Sequence, residues 1–123
     1  MPPNQPVDPS RMSFVFDRNY DVHTQEHKPG PPERADGITL GIVEMDQAPP
    51  HGGEMHPDGD ELIYILSGRV RVRGDSTPDA PLELGPGSAC IIPRGEWHLI
   101  EILEPVKLLH ATPGPGGEHR PPR

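Results

Sequence analysis

The residues best suited to chemistry lie in "HGGEMHPDGDELIYILSG", His51 to Gly68, where His51 and His56 stand among Glu54, Asp58, Asp60 and Glu61 just before an apolar strand. Clustered acids repel one another and resist burial unless a cation or hydrogen-bond donors offset them. Glu54 and His56 are two apart, so an extended chain points them the same way. The turn "PDGD" follows, and Glu61 opens the next strand. His98 comes 37 positions later, past the turn "PRG", inside an otherwise apolar strand. Imidazoles and carboxylates converging from separate strands make a divalent-cation site. Asp58 and Asp60 flank a turn glycine and are expected to shape the turn.

The elements that must position these groups have the periodicity of strands. Residues 37–46, 61–67, 69–74, 88–93, 96–103 and 106–112 form short runs rich in β-branched residues, bounded by Gly, Pro and Asp. No helical period survives three turns without a Pro or Gly. Residues 19–36 are polar and are expected to form loop with one edge strand. Short strands between turn signals predict an all-β sandwich or barrel, closure removing exposed edges. If Glu61 faces inward, alternation sends Ile63 and Ile65 inward too, and Leu62, Tyr64 and Leu66 outward. Both faces of that strand are apolar, which predicts a homodimer covering the outer one. His98, Ile100 and Ile102 share one face of their strand. A pocket lined by Ile63, Ile65, Ile91, Ile100 and Ile102 is expected to hold a small molecule.

At this point the chain resembles the cupins, whose first motif runs G-x5-H-x-H-x(3,4)-E-x6-G and whose second runs G-x5-P-x-G-x2-H-x3-N. His56, Glu61 and Gly68 match the first, and Gly87, Pro93, Gly95 and His98 match the second. The resemblance implies a small antiparallel double-stranded β-helix, the jelly-roll barrel, over about residues 36–113, often dimeric, with a metal held in its mouth. Three positions depart from the motifs: Ala48 stands for the opening glycine, Glu54 for the leading histidine and Ile102 for the final asparagine. His56, Glu61 and His98 are the implied ligands. The fourth position falls to Glu54, to His51 swung back on the Gly52-Gly53 hinge, or to water. Glu54 could instead act as a general base. Two histidines and two carboxylates favour Fe(II) or Mn(II), with zinc or nickel as alternatives.

Composition excludes several classes. The 123 residues fit one domain, and 32% hydrophobic with 4% aromatic content calls for a compact aliphatic core. A net charge of −8 disfavours nucleic acid, which is bound through cationic contacts to phosphate. Arg69, Arg71 and Arg73 form one row, expected on a solvated strand face. The single cysteine, Cys90, rules out an internal disulfide and sits in the apolar run "SACIIP" as a packing residue. No apolar run approaches the roughly 20 residues of a membrane span, and no signal-peptide pattern opens the chain, so a cytoplasmic location is expected. Residues 1–12 and 113–123, rich in Pro and Gly, are expected to be extended, solvated tails. His23, His27, His110 and His119 are expected at the surface, His110 being able to reach the interior. Trp97, Met45 and Met55 are expected to pack. The functional expectation is a metal-dependent enzyme of oxygenase, isomerase or lyase type acting on a small organic substrate. The alternatives are a non-catalytic binding or sensing module and a purely structural barrel.

Overall fold

The computed structural model describes residues 3–28 and 34–122. These residues form nine antiparallel strands: β1 (Met12–Phe16), β2 (Val22–Glu26), β3 (Gly37–Met45), β4 (Glu54–Met55), β5 (Glu61–Gly74), β6 (Leu82–Leu84), β7 (Ala89–Ile92), β8 (His98–Gly114) and β9 (Glu118–His119). Hydrogen bonding runs β2-β1-β3-β8-β4-β9, with β5 paired to β6, β7 and β8. The long ladders are β3 on β8, from Gly37 opposite Gly114 to Met45 opposite Val106, and β5 on β8, from Leu62 opposite Ala111 to Gly74 opposite His98. The edge strand expected within residues 19–36 is β2; the part of that expectation falling on 29–33 lies outside the described residues.

Two pairs of expected strands are each one long strand. Residues 61–74 and 98–114 run on without a break, because register shifts around Ile65 to Val70 bend β5 instead of ending it. Gly68 makes the bend possible. Its φ is +85°, and a Cβ there would sit 2.1 Å from the carbonyl oxygen of Pro105. Pro105 itself lies at this irregularity, where its missing N–H breaks no ladder bond.

Alternation along β5 is as expected: Glu61, Ile63 and Ile65 are buried, while Leu62, Tyr64 and Leu66 are exposed. The core gathers Ile63, Ile65, Val70, Val72, Leu84, Ile92, Val106 and Leu108, with Met45, Cys90, Ile100 and Ile102 packed against it. Ile91 corrects the expected pocket lining. It is 68% exposed, because the β5–β7 register sets it beside outward-facing Leu62 and turns Ile92 inward in its place. The arginine row is solvated, with Arg71 bonded to Glu83 and Arg73 to Glu101.

The C-terminal segment is not a free tail. β9 adds to β4, with Glu54 opposite His119. Arg120 secures it: its N–H donates to the Gly53 carbonyl, its guanidinium donates to both carboxylate oxygens of Asp75, and it lies over the Trp97 ring at 4.7 Å. Composition suggested solvation, but backbone pairing and one well-placed arginine hold the segment down.

Candidate metal centre

Three parts of the chain converge at one end of the barrel. β4 supplies Glu54, and His56 follows it on the same side; β5 opens with Glu61; β8 opens with His98. Pairing of Glu54 with His98 and of Gly74 with His98 sets the convergence. The turn before His98 needs Gly95, whose φ is +79° and whose N–H donates to the His56 carbonyl, tying the two histidine loops together.

The four side chains face one another. Nε2 of His98 lies 3.1 Å from Oε1 of Glu61 and 3.4 Å from Oε1 of Glu54. Nε2 of His56 lies 3.6 Å from Oε2 of Glu61 and 3.7 Å from Oε1 of Glu54. One donor atom from each of the four lies within 4.8 Å of the others. Ligand bonds of about 2.1 Å put neighbouring donors roughly 3.0 to 3.4 Å apart, so this spacing suits a shared ion after small adjustment. His56, Glu61 and His98 are buried, at 3%, 4% and 2% exposure. Both His56 nitrogens, Oε1 of Glu61 and Nε2 of His98 are buried with no hydrogen-bond partner. Orphaned lone pairs at this depth are costly, and a cation satisfies them together.

The supporting contacts aim these atoms inward. Nδ1 of His98 meets the Glu96 carbonyl at 3.2 Å, leaving Nε2 for the cluster. Thr112 donates its hydroxyl to Oε2 of Glu61 at 2.6 Å and accepts from Nδ1 of His110 at 2.7 Å. His110 is therefore turned inward and not left at the surface. Gly41 provides the space, since a Cβ there would come within 2.8 Å of Nε2 of His110. This relay was half legible: His110 and Thr112 are two apart in an apolar strand, but their link to Glu61 depends on cross-strand register.

Electrostatics follow the geometry. Burial alone would raise the Glu54 carboxyl, but the close imidazoles of His56 and His98 outweigh it and hold the group well below the usual carboxylate range. Burial pulls His98 down, while the carboxylates of Glu54 and Glu61 beside it prevail and push it up to about 10. Glu54 is thus a ready oxygen donor and a weak base.

Glu54 belongs to the inner cluster, and His51 joins Glu54 and His119 in a second group whose donor atoms lie within 4.8 Å of one another. Glu54 presents Oε1 to the cluster. His51 lies behind it, its Nε2 3.9 Å from the outer oxygen Oε2, its Nδ1 accepting from the Gly53 N–H, and its ring stacked on His119 at 4.7 Å. Two further groups meet that outer oxygen, and sequence reasoning assigned neither to the site: Nε2 of His119 at 3.4 Å and Arg34 at 3.6 Å. His119 arrives only because β9 docks. Asp58 and Asp60 are outside the cluster and accept from the N–H groups of Gly116 and Arg94. Within the barrel Tyr64 faces away, Trp97 meets Arg120, and Cys90 packs against the core with its thiol pushed up by burial.

Comparison with known proteins agrees with this geometry. The model of the cupin domain family matches residues 41–112, which take in all of the inner cluster, and the chain belongs to that family. Its barrel superimposes on a cupin-2 domain protein of Shewanella frigidimarina with a TM-score of 0.54 at 22% identity, covering 68% of this chain and 76% of the other. A cupin superfamily protein of Desulfitobacterium hafniense gives 0.52 at 22% identity, over 68% and 70% of the two chains. The oxalate decarboxylase of Bacillus subtilis, a protein with Mn(II) centres, gives 0.53 at 18% identity, over 71% of this chain and 24% of the other. A sequence search of curated proteins finds no match.

Proposed function

We propose that this cupin is a metal-dependent enzyme acting on a small organic substrate, with His56, Glu61, His98 and Glu54 holding a divalent cation. The observation that carries the reading is the set of buried, partnerless nitrogen and oxygen atoms aimed at one another by three strands. Two carboxylates balance a dipositive ion, and the mixture of oxygen and imidazole donors favours Fe(II) or Mn(II). Such an ion supplies Lewis acidity to a bound substrate oxygen. The protein's share is to keep four donors pre-aimed, to exclude bulk water behind Ile63 and Ile65, and to hold Glu61 through Thr112. On an ion that takes six ligands, as Fe(II) or Mn(II) commonly does, four protein donors would leave room for a substrate oxygen.

The test is elemental analysis of protein purified without added metal, followed by His56→Ala and His98→Ala. Each substitution should abolish stoichiometric metal while far-ultraviolet circular dichroism keeps its β signature. Parent-like metal content in both variants would defeat the assignment. Turnover across a substrate panel separates an enzyme from a ligand-holding module.

We further infer a homodimer formed through the outer face of β5 and β7, in the cytoplasm. Leu62, Tyr64, Leu66 and Ile91 stand exposed there, with Leu62 paired to Ile91 across the sheet. No charged side chain interrupts these four positions, and a second copy offering the same face would cover them. No helix among the described residues is long and apolar enough to cross a membrane.

A further inference from the structure

The outer oxygen of Glu54 gathers a second set of polar side chains, Arg34, His51 and His119, beside the inner cluster. Arg34 lies 19% exposed at the site, its guanidinium 3.6 Å from Oε2 of Glu54. Among the described residues this long ion pair is the only one Arg34 makes. The other site-proximal arginine, Arg120, is committed to Asp75. His51 and His119 stack across from Arg34 and bring imidazole nitrogens to the same oxygen.

Formal charge gives this arrangement its meaning. Without an ion, Glu54 serves both Arg34 and the histidines beneath it. Once a divalent ion draws on the charges of Glu54 and Glu61, those two carboxylates balance it and Arg34 is left uncompensated. The loaded site would then carry one net positive charge, at the partly exposed Arg34. A partly buried guanidinium seeks an anion, and its planar fork matches the two oxygens of a carboxylate.

Resting on the metal reading above, we propose that the substrate is a small carboxylate, recognised by Arg34 at the rim while the ion engages it within. A carboxylate matches the planar fork of one guanidinium and carries the single negative charge that the loaded site lacks.

The test titrates acetate, acetamide and inorganic phosphate into Mn(II)-loaded protein by calorimetry, with the Mn(II) electron paramagnetic resonance spectrum as a second readout. Metal content is measured first in the parent, Arg34→Gln and Arg34→Lys proteins. Acetate should bind the loaded parent and perturb the spectrum, and acetamide should not. Arg34→Gln should keep its metal and bind acetate at least about tenfold more weakly, the scale of one lost charge-assisted hydrogen bond. Arg34→Lys, keeping the charge without the fork, should fall between them. Equal acetate affinity in the parent and both variants overturns the role of Arg34. Tighter binding of phosphate or acetamide overturns the substrate class. Stoichiometric metal with no acetate binding sinks this inference alone, whereas a parent protein that takes up no ion sinks the metal reading and this one together.

Discussion

Glu54 occupies the position where the cupin motif has its leading histidine, and its two oxygens face different surroundings: Oε1 meets His56 and His98, and Oε2 meets Arg34, His51 and His119. A histidine there could not present two acceptors at once, so Glu54→His should bind metal while releasing Arg34 from its ion pair. Glu54→Gln is more diagnostic. It should lower metal affinity at least about tenfold, since a neutral amide oxygen replaces an ionised donor; unchanged affinity with lost turnover would make Glu54 a base. His98 gives a prediction about pH. Its folded pKa, about 10 without metal, lies above the ordinary histidine value of 6.5. Its contribution to the metal-free protein's stability is therefore complete below about pH 6.5 and is lost as pH rises through 10. Metal must displace that proton, so binding should release protons at neutral pH and tighten as pH rises. Calorimetry in buffers of differing ionisation enthalpy reads the release directly, and a buffer-independent heat would contradict it.

At the scale of elements, one glycine decides how β5 and β8 meet. Gly68 lets β5 bend at residues 65–70 and still face the core on both sides of the bend, with Ile65 and Val70 each fully buried. Gly68→Ala adds left-handed backbone strain to a collision with the Pro105 carbonyl, and should cost on the order of 3 kcal/mol, read as a lowered denaturant midpoint at constant m-value. Parent-like stability would show that the bend relaxes elsewhere. Gly68 is the glycine that closes the match to the first motif. Its physical duty is to the strand path, and it reaches the metal centre through that path, because the same ladder sets His98 beside Gly74.

For the whole molecule, the distribution of apolar surface matters most. The interior is filled by aliphatic side chains, and further apolar groups remain outside at Leu62, Tyr64, Leu66 and Ile91. A dimer through this face should show twice the chain mass by light scattering. Ile91→Arg, at a position already 68% exposed, should return it to a monomer with little change in monomer folding. A monomeric parent at micromolar concentration would refute the pairing.

Strand alternation and motif spacing were enough to indicate the barrel, the inward face of Glu61, Ile63 and Ile65, and the grouping of His56, Glu61 and His98, because side-chain direction in a strand follows local parity and each motif holds its spacing along the chain. Register and chain ends were not local. Ile91 turned outward because of its partner across the sheet, His110 reached Glu61 through Thr112 from another strand, and Arg34 and His119 came to Glu54 from segments tens of residues away. Those placements arise from pairings that exist only once the strands have met, so the tertiary structure alone supplied the outer ring around an inner cluster that the residue order had already indicated.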